Sequence, residues 1–485
     1  MVNISGLWEK FVYKFFQYAP SITVCLSFLP CGLVFGYTIS SFVAERNTDV
    51  GVIVYGPLIL GACWGFVAAL IMFLIKFFRS RIVFWHMYIL LTAAVLHFIS
   101  SCFYFSNELD NVGAFISYLG HSLTFLAGLS FLHTILGKGS RAIFLAMAFS
   151  FYILGMASAV SLIGSSYYKN MQENSTATAE ELAHGIYVDF AGVYLSMAAV
   201  VLVLLAGIVI LSYFGTTDCE NSMDNDLRIA NSNGSIFDKR EEVIKRIEFF
   251  YVTKNQQWNV TLLLLFTEAI HFSLFIYFSF WFSLNSAIRV TDIAHIDVMF
   301  WVVYAGSVIV ILGLIFCSVK VTYVANQLCM IVLTILSMII CNSVKTTVPF
   351  WILLFFFGMS YSNLQILLVE VAHFRYLELV IYASYLLKLL STAVIYYYFV
   401  ANSKNSYFYS TDISTLMSEG FVYIIIGSLL ALVVGMKVPR THRTSLFEIQ
   451  YGLLGIIFQK HQIEQLNVRC LNDGTIPTIS RPAVQ

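Results

Sequence analysis

The sequence predicts an all-α integral membrane protein with about twelve transmembrane helices in two six-helix bundles and with both termini in the cytoplasm. Of its 485 residues, 59% are hydrophobic and only 11% are charged, whereas a soluble chain has about 25% charged residues. The apolar residues form long runs, and about 20 such residues are enough for a helix to cross the hydrocarbon core of a bilayer. A polar interval separates six of these runs from six more.

The predicted helices follow the apolar runs in order. The first six runs lie at about 19–43, 51–77, 82–105, 112–136, 141–166 and 185–214. The second six lie at about 258–284, 295–318, 321–342, 348–372, 377–401 and 416–438. Each run has the length of a membrane-spanning helix, so the count predicts twelve passes.

Positive charges are concentrated on one side of this topology. If the N-terminus is cytoplasmic, the inner connections and the tail hold the larger set of cations, namely Lys76, Arg79, Arg81, Lys138, Arg141, Arg228, Lys239, Arg240, Lys245, Arg246, Lys254, Lys320, Arg375, Lys437, Arg440 and Arg443. The outer connections hold only Arg46, Lys169, Arg289, Lys345 and Lys404. Because Lys and Arg are enriched in cytoplasmic loops, this bias predicts that both termini are cytoplasmic.

The runs and connections divide the chain into five parts. These are an amphipathic N-terminal segment at 1–18, an N-terminal six-helix bundle at 19–214, a cytoplasmic linker at 215–257, a C-terminal six-helix bundle at 258–438 and a cytoplasmic tail at 439–485. The first part of the linker has the polar composition of a disordered segment. Asn174 begins an Asn-Ser-Thr sequence in a connection predicted to face outward, so it is a candidate for glycosylation.

Several classes of function find no support in the sequence. The formal net charge is zero, so we expect no nucleic-acid partner. The nine cysteines are scattered without the spacing of a metal site, and neither a phosphate-binding glycine loop nor a zinc-protease motif occurs. We therefore expect no metal, no cofactor and no catalytic residue. The expected partners are the lipid bilayer and a small-molecule substrate.

Two six-helix halves, a cytoplasmic linker and internal termini resemble the major facilitator superfamily. The loop after the second helix, LIKFFRSRIVF, keeps Arg79 and Arg81 of the superfamily's signature but lacks its Asp and Gly, and the corresponding loop of the second half keeps only Lys320. The stretch LLVEVAHFRYLELVIYASYLLKLL is similar to the passage from helix 10 to helix 11 in organic-anion and amino-acid carriers of this superfamily. The degenerate signature indicates a divergent member.

The resemblance implies two related bundles with a substrate site between them, near the middle of the membrane. Helices 1, 2, 4, 5, 7, 8, 10 and 11 would line the central cavity, and helices 3, 6, 9 and 12 would lie outside it. A protein of this kind would transport its substrate by alternating access.

Charged residues within the predicted helices are the first candidates for the site. Glu268 and His271 are three residues apart in the seventh run and therefore share a helix face. Lys388 lies about half way along the eleventh run. In the implied fold both helices line the same half of the cavity, so Glu268 and Lys388 are candidates for an ion pair. Such a pair could couple transport to protons or bind a substrate carboxylate, or it could be a static link between two helices.

Polar residues near mid-membrane add further candidates. Asn363 and Gln365 form the most polar run of the tenth segment, and their amides could bind a polar solute or hold helices together. His121 in the fourth run lies on a helix that the resemblance places beside the cavity. It could respond to pH or donate a hydrogen bond to a neighbouring helix.

A charged cluster follows at the inner end of the tenth run. Glu370, Arg375 and Glu378 lie close together in the sequence at this point. They could form an intracellular gate, and they could equally belong to a solvated loop.

These observations favour a secondary-active transporter of a small polar solute, with an amino acid or an organic anion as the favoured substrate and proton coupling as an open option. We expect a non-enzymatic monomer in the plasma membrane, and an intracellular membrane is the alternative. A second hypothesis is a transport-inactive receptor-like or scaffold protein of the same fold. A membrane-embedded transferase is the third, but it would need larger loops with clustered acids and histidines.

Overall fold

A computed structural model of the chain describes the transmembrane part of the molecule. The described ranges are 18–44, 51–78, 82–106, 109–136, 140–173, 179–214, 256–286, 294–344, 348–372, 376–403 and 413–438. Every regular element within these ranges is a helix. The N-terminal segment, nearly all of the linker, the tail and Asn174 lie outside the described residues, so the expectations for them and for the five domain bounds remain predictions.

Twelve helices correspond one to one to the twelve apolar runs. They are α1 (Phe28–Ala44), α2 (Gly51–Phe78), α3 (Ile82–Phe103), α4 (Asp110–Ile135), α5 (Arg141–Glu173), α6 (Ala179–Phe214), α7 (Gln256–Ser286), α8 (Ala294–Phe316), α9 (Val319–Val344), α10 (Val348–Val371), α11 (Leu377–Ser403) and α12 (Ile413–Lys437). Eleven helical spans in the described chain are long and apolar enough to cross a membrane, and α2 contributes a shorter apolar stretch, Leu58–Leu74.

Two helix ends differ clearly from the apolar runs. The fifth run ends at about 166 but α5 continues to Glu173, and the sixth run begins at about 185 but α6 begins at Ala179. Hydropathy marks only the part of a helix that lies in hydrocarbon, whereas the backbone hydrogen-bond ladder can continue through polar residues.

The first membrane span has a break near its start. Residues 18–26 are helical, Ser27 forms a turn and α1 begins at Phe28. Pro30 follows three residues later, and a proline ring removes one backbone donor and collides with the carbonyl of the fourth residue before it. The Ser27 hydroxyl donates to the carbonyl of Val24 at 2.6 Å. At the break, this backbone carbonyl therefore accepts a hydrogen bond from a side chain.

The two halves of the chain pack in the same pattern. In the first half, α1 packs on α5 and α4, α4 also packs on α2 and α3, and α3 packs on α6. In the second half, the helices six places further along make the corresponding contacts, with α7 on α11 and α10, α10 also on α8 and α9, and α9 on α12. The halves therefore form two six-helix bundles with a common internal arrangement.

Two pairs of helices form most of the contact between the bundles. α5 packs on α8, and α2 packs on α11, which is again one contact repeated with the bundles exchanged. By contrast α3, α6, α9 and α12 pack mainly on helices of their own bundle. The side chains of α6 are the least buried of the membrane spans, as expected for a helix at the lipid-facing periphery.

Glycines allow the closest helix crossings within each bundle. A Cβ added to Gly32 of α1 or to Gly155 of α5 would collide with backbone of the facing helix. The same is true of Gly306 in α8 and Gly358 in α10. Small residues permit such backbone contact in membranes, where van der Waals packing takes the place of the hydrophobic effect between helices.

Candidate functional site

Three helices of the C-terminal bundle bring Glu268, Gln365 and Lys388 together. The Lys388 Nζ atom lies 3.1 Å from Glu268 Oε1 on α7, and it donates to Gln365 Oε1 on α10 at 3.0 Å. The Gln365 amide in turn donates to Glu268 Oε1. All three side chains are buried, so Gln365 bridges the two charged groups of an ion pair that is shielded from solvent.

Ser384 completes the hydrogen bonding of one carboxylate oxygen. Its hydroxyl donates to Glu268 Oε1 at 2.6 Å, and it precedes Lys388 by four residues, so both side chains project from one face of α11. Glu268 Oε1 therefore interacts with Gln365, Ser384 and Lys388, whereas Glu268 Oε2 is buried without a hydrogen-bond partner. The carboxylate retains one acceptor position for a proton, water or ligand.

The ammonium group of Lys388 also faces aromatic rings. It lies 4.6 Å from the ring centre of Phe125 on α4, 5.9 Å from that of Phe149 on α5 and 5.4 Å from that of Tyr361 on α10. The first two rings belong to the N-terminal bundle, so the charged cluster lies at the junction of the bundles. A cation within about 6 Å of an aromatic ring centre is attracted to the ring face.

His121 lies one turn before Phe125 on α4, in an aromatic cage. Its ring centre is 5.2 Å from that of Tyr385 and 5.8 Å from those of Tyr118 and Tyr152. The imidazole is buried, and neither of its nitrogens has a hydrogen-bond partner. This histidine therefore faces the bundle junction with both polar atoms unsatisfied.

His271 contacts a different set of residues from Glu268. Its Nδ1–H donates to the carbonyl of Thr267 at 2.9 Å, because a carbonyl can only accept. The ring packs edge-on against Phe357 of α10 and lies beside Gly427 of α12. His271 Nε2 is buried without a hydrogen-bond partner. His271 thus points toward the interior of the C-terminal bundle, whereas Glu268, one turn earlier on α7, points toward the bundle junction.

Asn363 and Gln365 do not belong to one site. The Asn363 Oδ1 atom accepts a hydrogen bond from Thr322 of α9 at 3.1 Å, whereas Gln365 contacts Glu268 and Lys388. Two positions along a helix differ by about 200° in direction, so these side chains project from opposite faces of α10. The polar run of the sequence therefore divides in the structure: Asn363 contacts α9, and Gln365 contacts the ion pair.

The charged cluster at the C-terminal end of α10, the predicted inner end, joins the two bundles. Arg141 Nε of α5 lies 3.5 Å from Glu370 Oε1 of α10, and both side chains are buried. The Ser130 hydroxyl of α4 donates to Glu378 Oε1 of α11 at 3.3 Å. Arg375 lies outside the described residues. Two of the three gate candidates thus contact the opposite bundle.

Sequence reasoning did not single out several of these residues. Ser384, Phe125 and Phe149 look like ordinary membrane-helix residues, and only the position of Ser384 one turn before Lys388 could have indicated its role. Arg141 was interpreted as a topology signal at a loop. Its partner Glu370 is 229 positions away, and no local pattern encodes that contact.

The described part of the chain contains no group of three or more His, Cys, Asp or Glu side chains that could hold a metal ion. No model of a protein family matches the chain. No curated protein matches it either.

Solved structures do match it along nearly its whole length. The proton:xylose symporter XylE, a major facilitator superfamily protein, bound to 6-bromo-6-deoxy-D-glucose is 15% identical, with a TM-score of 0.63 over 90% of this chain and 98% of that chain. An inward-open XylE from E. coli is 15% identical, with a TM-score of 0.57 over 90% of this chain and 99% of that one. The superfamily transporter FucP in the outward conformation is 13% identical, with a TM-score of 0.55 over 88% of this chain and 99% of that one. The molecule thus has the major facilitator fold.

Proposed function

We propose that this chain, which has the major facilitator fold, is a multi-pass secondary-active transporter that moves a small solute across a membrane by alternating access. The buried cluster of Glu268, Gln365 and Lys388 at the junction of the bundles is the observation that supports this proposal most strongly. In this fold the junction is the region that opens to either side when the bundles rock. Ionisable groups inside a membrane are expensive to keep, and they commonly mark solute or proton pathways.

The charges at the junction favour an amino acid or an organic anion as the solute. A solute carboxylate can compete with Glu268 for the Lys388 ammonium, and a solute ammonium group can take the place of Lys388 beside Glu268. The structural neighbours include sugar:proton symporters, but identities of 11% to 16% indicate a shared fold and not a shared substrate. A sugar is therefore the competing substrate class, with Gln365 and Ser384 as its hydrogen-bond partners.

Proton coupling follows from the same competition. Binding of a proton by Glu268 neutralises the carboxylate and frees Lys388 for an anionic group of the solute. Loss of the proton restores the ion pair and displaces the solute. Because the proton and the solute use the same pair of side chains, each would favour binding of the other.

The first experiment measures uptake by the full-length protein in proteoliposomes. Labelled amino acids, carboxylates and sugars are offered at an acidic and at a neutral external pH, and Glu268→Gln and Lys388→Ala are compared with the wild type at equal reconstituted amounts. We expect uptake of a carboxylate-bearing solute that increases at acidic pH, loses this pH dependence in Glu268→Gln and is abolished in Lys388→Ala. Uptake of sugars alone would overturn the proposed substrate class but not the proposed transport.

The alternative of a transport-inactive receptor-like or scaffold protein makes a different prediction. In that protein the ion pair would only link α7 to α11, and no labelled solute would accumulate in wild-type proteoliposomes although the protein is folded. A membrane-embedded transferase would instead convert the solute chemically, which mass spectrometry of the vesicle contents would detect.

We further propose the plasma membrane as the location and the monomer as the working unit. A glycan on Asn174 would support passage through the secretory pathway. Loss of a mass shift on glycosidase treatment in an Asn174→Gln variant would identify that site. A single photobleaching step per labelled molecule would identify the monomer.

A further inference from the structure

The interior of the C-terminal bundle contains a set of buried polar atoms that the ion-pair site does not use. They lie along α9, a helix expected outside the central cavity, and on the facing sides of α7 and α10. Tyr323 OH, Asn326 Oδ1 and Asn363 Nδ2 are buried without a hydrogen-bond partner, and the Gln327 and His271 side chains lie within hydrogen-bonding reach of each other. This set is called the α9 polar stripe below.

The two faces of α9 differ sharply in polarity. Apolar side chains cover its exposed face, with Val321, Leu328, Val332, Ile335, Leu336 and Ile339 among them. The buried face includes Tyr323, Asn326, Gln327, Thr334 and Ser337 at helical spacing. Polar side chains can link membrane helices by hydrogen bonds, but several polar atoms of this face are buried without a partner, and these atoms require another explanation.

Three hydrogen bonds connect α9 to α10. In each of the three amide side chains involved, only the oxygen or only the nitrogen takes part. Thr322 donates to Asn363 Oδ1 at 3.1 Å, the Asn326 amide donates to the Phe356 carbonyl at 3.2 Å, and the Gln327 amide donates to the Ser360 hydroxyl at 2.5 Å. An amide has a donor and an acceptor end, so Asn326 and Asn363 each keep one polar atom that α9 and α10 do not satisfy.

The stripe connects the ion-pair site with one end of the bundle. Gln327 lies within hydrogen-bonding reach of the His271 ring, and His271 is one turn along α7 from Glu268. In the other direction Tyr323 packs against Gly435 near the end of α12. There Lys320 donates to the carbonyls of Met436 and Val438 at 3.1 and 2.6 Å. Positive-inside topology predicts that this end is cytoplasmic.

We propose that the α9 polar stripe binds a file of water molecules that conducts protons between Glu268 and the predicted cytoplasmic end of the C-terminal bundle. Buried polar groups without protein partners are normally satisfied by ordered water, each water making about three hydrogen bonds. The role of the file rests on the transport proposed above. Glu268 Oε2 binds one proton from the file while the bundles are in one orientation and returns it to water in another.

Few other ionisable groups face this region. In the part of the chain that the structure describes, the neighbouring charged side chains are Glu268 on α7, Lys388 on α11 and, at the far end of the stripe, Lys320 on α9. His271, Tyr323 and Tyr361 are the neighbouring neutral groups that can exchange a proton. Among these only Glu268 combines a negative charge with an unused oxygen, so it is the group that the water file serves.

Hydroxyl-radical footprinting of the wild-type protein in lipid nanodiscs tests for the water directly, without requiring transport. Radiolysis converts bound water into radicals that oxidise adjacent side chains, and methionine forms its sulfoxide readily. Tyr323 and Met330 are buried on the stripe side of α9, whereas Met156 is equally buried in the α1–α5 contact. We expect Met330 to be modified roughly tenfold faster than Met156 if ordered water lies beside it. Equal rates would overturn the proposal.

The Gln327→Leu variant tests the conducting role. Proton-driven accumulation of the solute should fall at least roughly tenfold because the file of water molecules is interrupted. Solute exchange at equal concentrations should persist because it needs no net proton movement. Gln327→Asn should recover part of the accumulation. The matched control is Leu328→Ala on the lipid face of the same helix, which should leave both processes unchanged.

The contrary outcomes separate the two proposals. A parallel loss of exchange and accumulation in Gln327→Leu, or full accumulation in that variant, would overturn the conducting role. Absence of any solute exchange by the wild type would instead contradict the proposed function, and the footprinting comparison of Met330 with Met156 would still decide whether the stripe holds water.

Discussion

The ion pair between Glu268 and Lys388 concentrates opposite charges in a buried environment. Removing both charges from water costs free energy. This cost is compensated by Coulombic attraction, by the Gln365 bridge and by the Ser384 hydroxyl. A buried pair of this kind contributes little net stability, yet removal of one partner is strongly destabilising because the other charge remains unpaired. Stability measurements can therefore separate the structural role of the pair from its proposed role in transport.

We predict that single neutralisation of the pair destabilises the protein more than double neutralisation. Glu268→Gln or Lys388→Met should each lower the free energy of unfolding by about 3–5 kcal/mol, since each leaves one buried charge unpaired. The double variant should recover much of this loss without recovering transport. Thermal unfolding of the four proteins in one detergent measures the effect, and a double variant whose loss equals the sum of the single losses would contradict it.

A second prediction concerns the ring nearest the Lys388 ammonium. Phe125→Leu removes a contact between a desolvated cation and an aromatic face, which is worth about 2 kcal/mol, in addition to the packing loss. Phe300→Leu is the control because Phe300 is equally buried and packs on Phe275 instead of a cation. We expect Phe125→Leu to be the more damaging change in unfolding measurements.

The Lys388→Met background then provides the decisive comparison. Without the ammonium group, the two phenylalanine substitutions should cost similar amounts. Persistence of the excess cost of Phe125→Leu in that background would show that the ring acts only through packing.

At the level of elements, glycines determine how closely the helices of each bundle approach. Gly306 and Gly358 place α8 and α10 in backbone contact, and Gly32 and Gly155 do the same for α1 and α5. The contact matters for the site because α10 positions Gln365 and α5 positions Phe149. A larger residue at the crossing would move these side chains relative to Glu268 and Lys388.

We predict that Gly358→Ala destabilises the protein although alanine is the better helix former. The new methyl group would overlap a backbone carbonyl of α8, and overpacking of this kind typically costs about 1–3 kcal/mol. Gly207→Ala is the matched control, because no atom lies within 4 Å of an added Cβ there. It should be neutral or stabilising by up to about 1 kcal/mol.

Thermal unfolding of both glycine variants measures the contrast. Similar stability of Gly358→Ala and Gly207→Ala would mean that the α8–α10 crossing tolerates separation. Substrate binding by Gly358→Ala should weaken as well if the crossing positions Gln365.

At the scale of the whole molecule, side chains at the predicted inner end connect the two bundles. Arg141 contacts Glu370 across the α5–α10 contact, and Ser130 contacts Glu378 between α4 and α11. In the proposed alternating-access cycle, such contacts have to break when the molecule opens on that side. Their strength would therefore set the population of the proposed open state.

We predict that Glu370→Gln increases the population in which the inner ends of the bundles are apart. Loss of a charged hydrogen bond of about 1.5–3 kcal/mol should shift this equilibrium roughly tenfold or more. Distances between spin labels at the inner ends of α5 and α10 would measure the change. An unchanged distance distribution would contradict the gating role of Glu370.

The control for this experiment lies on the α5–α8 contact. Trp301→Phe removes the hydrogen bond from the indole nitrogen to the Ser161 hydroxyl, which is 2.8 Å long and exposed. Because Ser161 lies twenty residues along α5 from Arg141 and Trp301 lies near the start of α8, loss of this bond should not separate the labels near Arg141.

The sequence by itself determined the membrane class, the number and order of the twelve helices and the six-plus-six division. These features depend on local hydropathy and run length, which every segment displays independently of the others. The resemblance to the major facilitator superfamily agrees with the fold, and the prediction that both termini are cytoplasmic remains a prediction from loop charge.

Candidate site residues could be selected from the sequence because ionisable and amide side chains are rare in apolar runs. This rarity singled out Glu268, Lys388 and Gln365, but not the rings of Phe125 and Phe149, since aromatic residues are frequent throughout the chain. It also grouped Asn363 with Gln365, although they project from opposite faces of α10.

Only the tertiary structure decided which candidates meet. The rotation of each helix about its axis and the packing of one bundle on the other are set by contacts between residues far apart in the chain. They place Lys388 beside Glu268, Arg141 beside Glu370, and the polar face of α9 against α10 instead of lipid. Hydropathy gives the length of a membrane helix, but the identity of its neighbours depends on side-chain packing between helices.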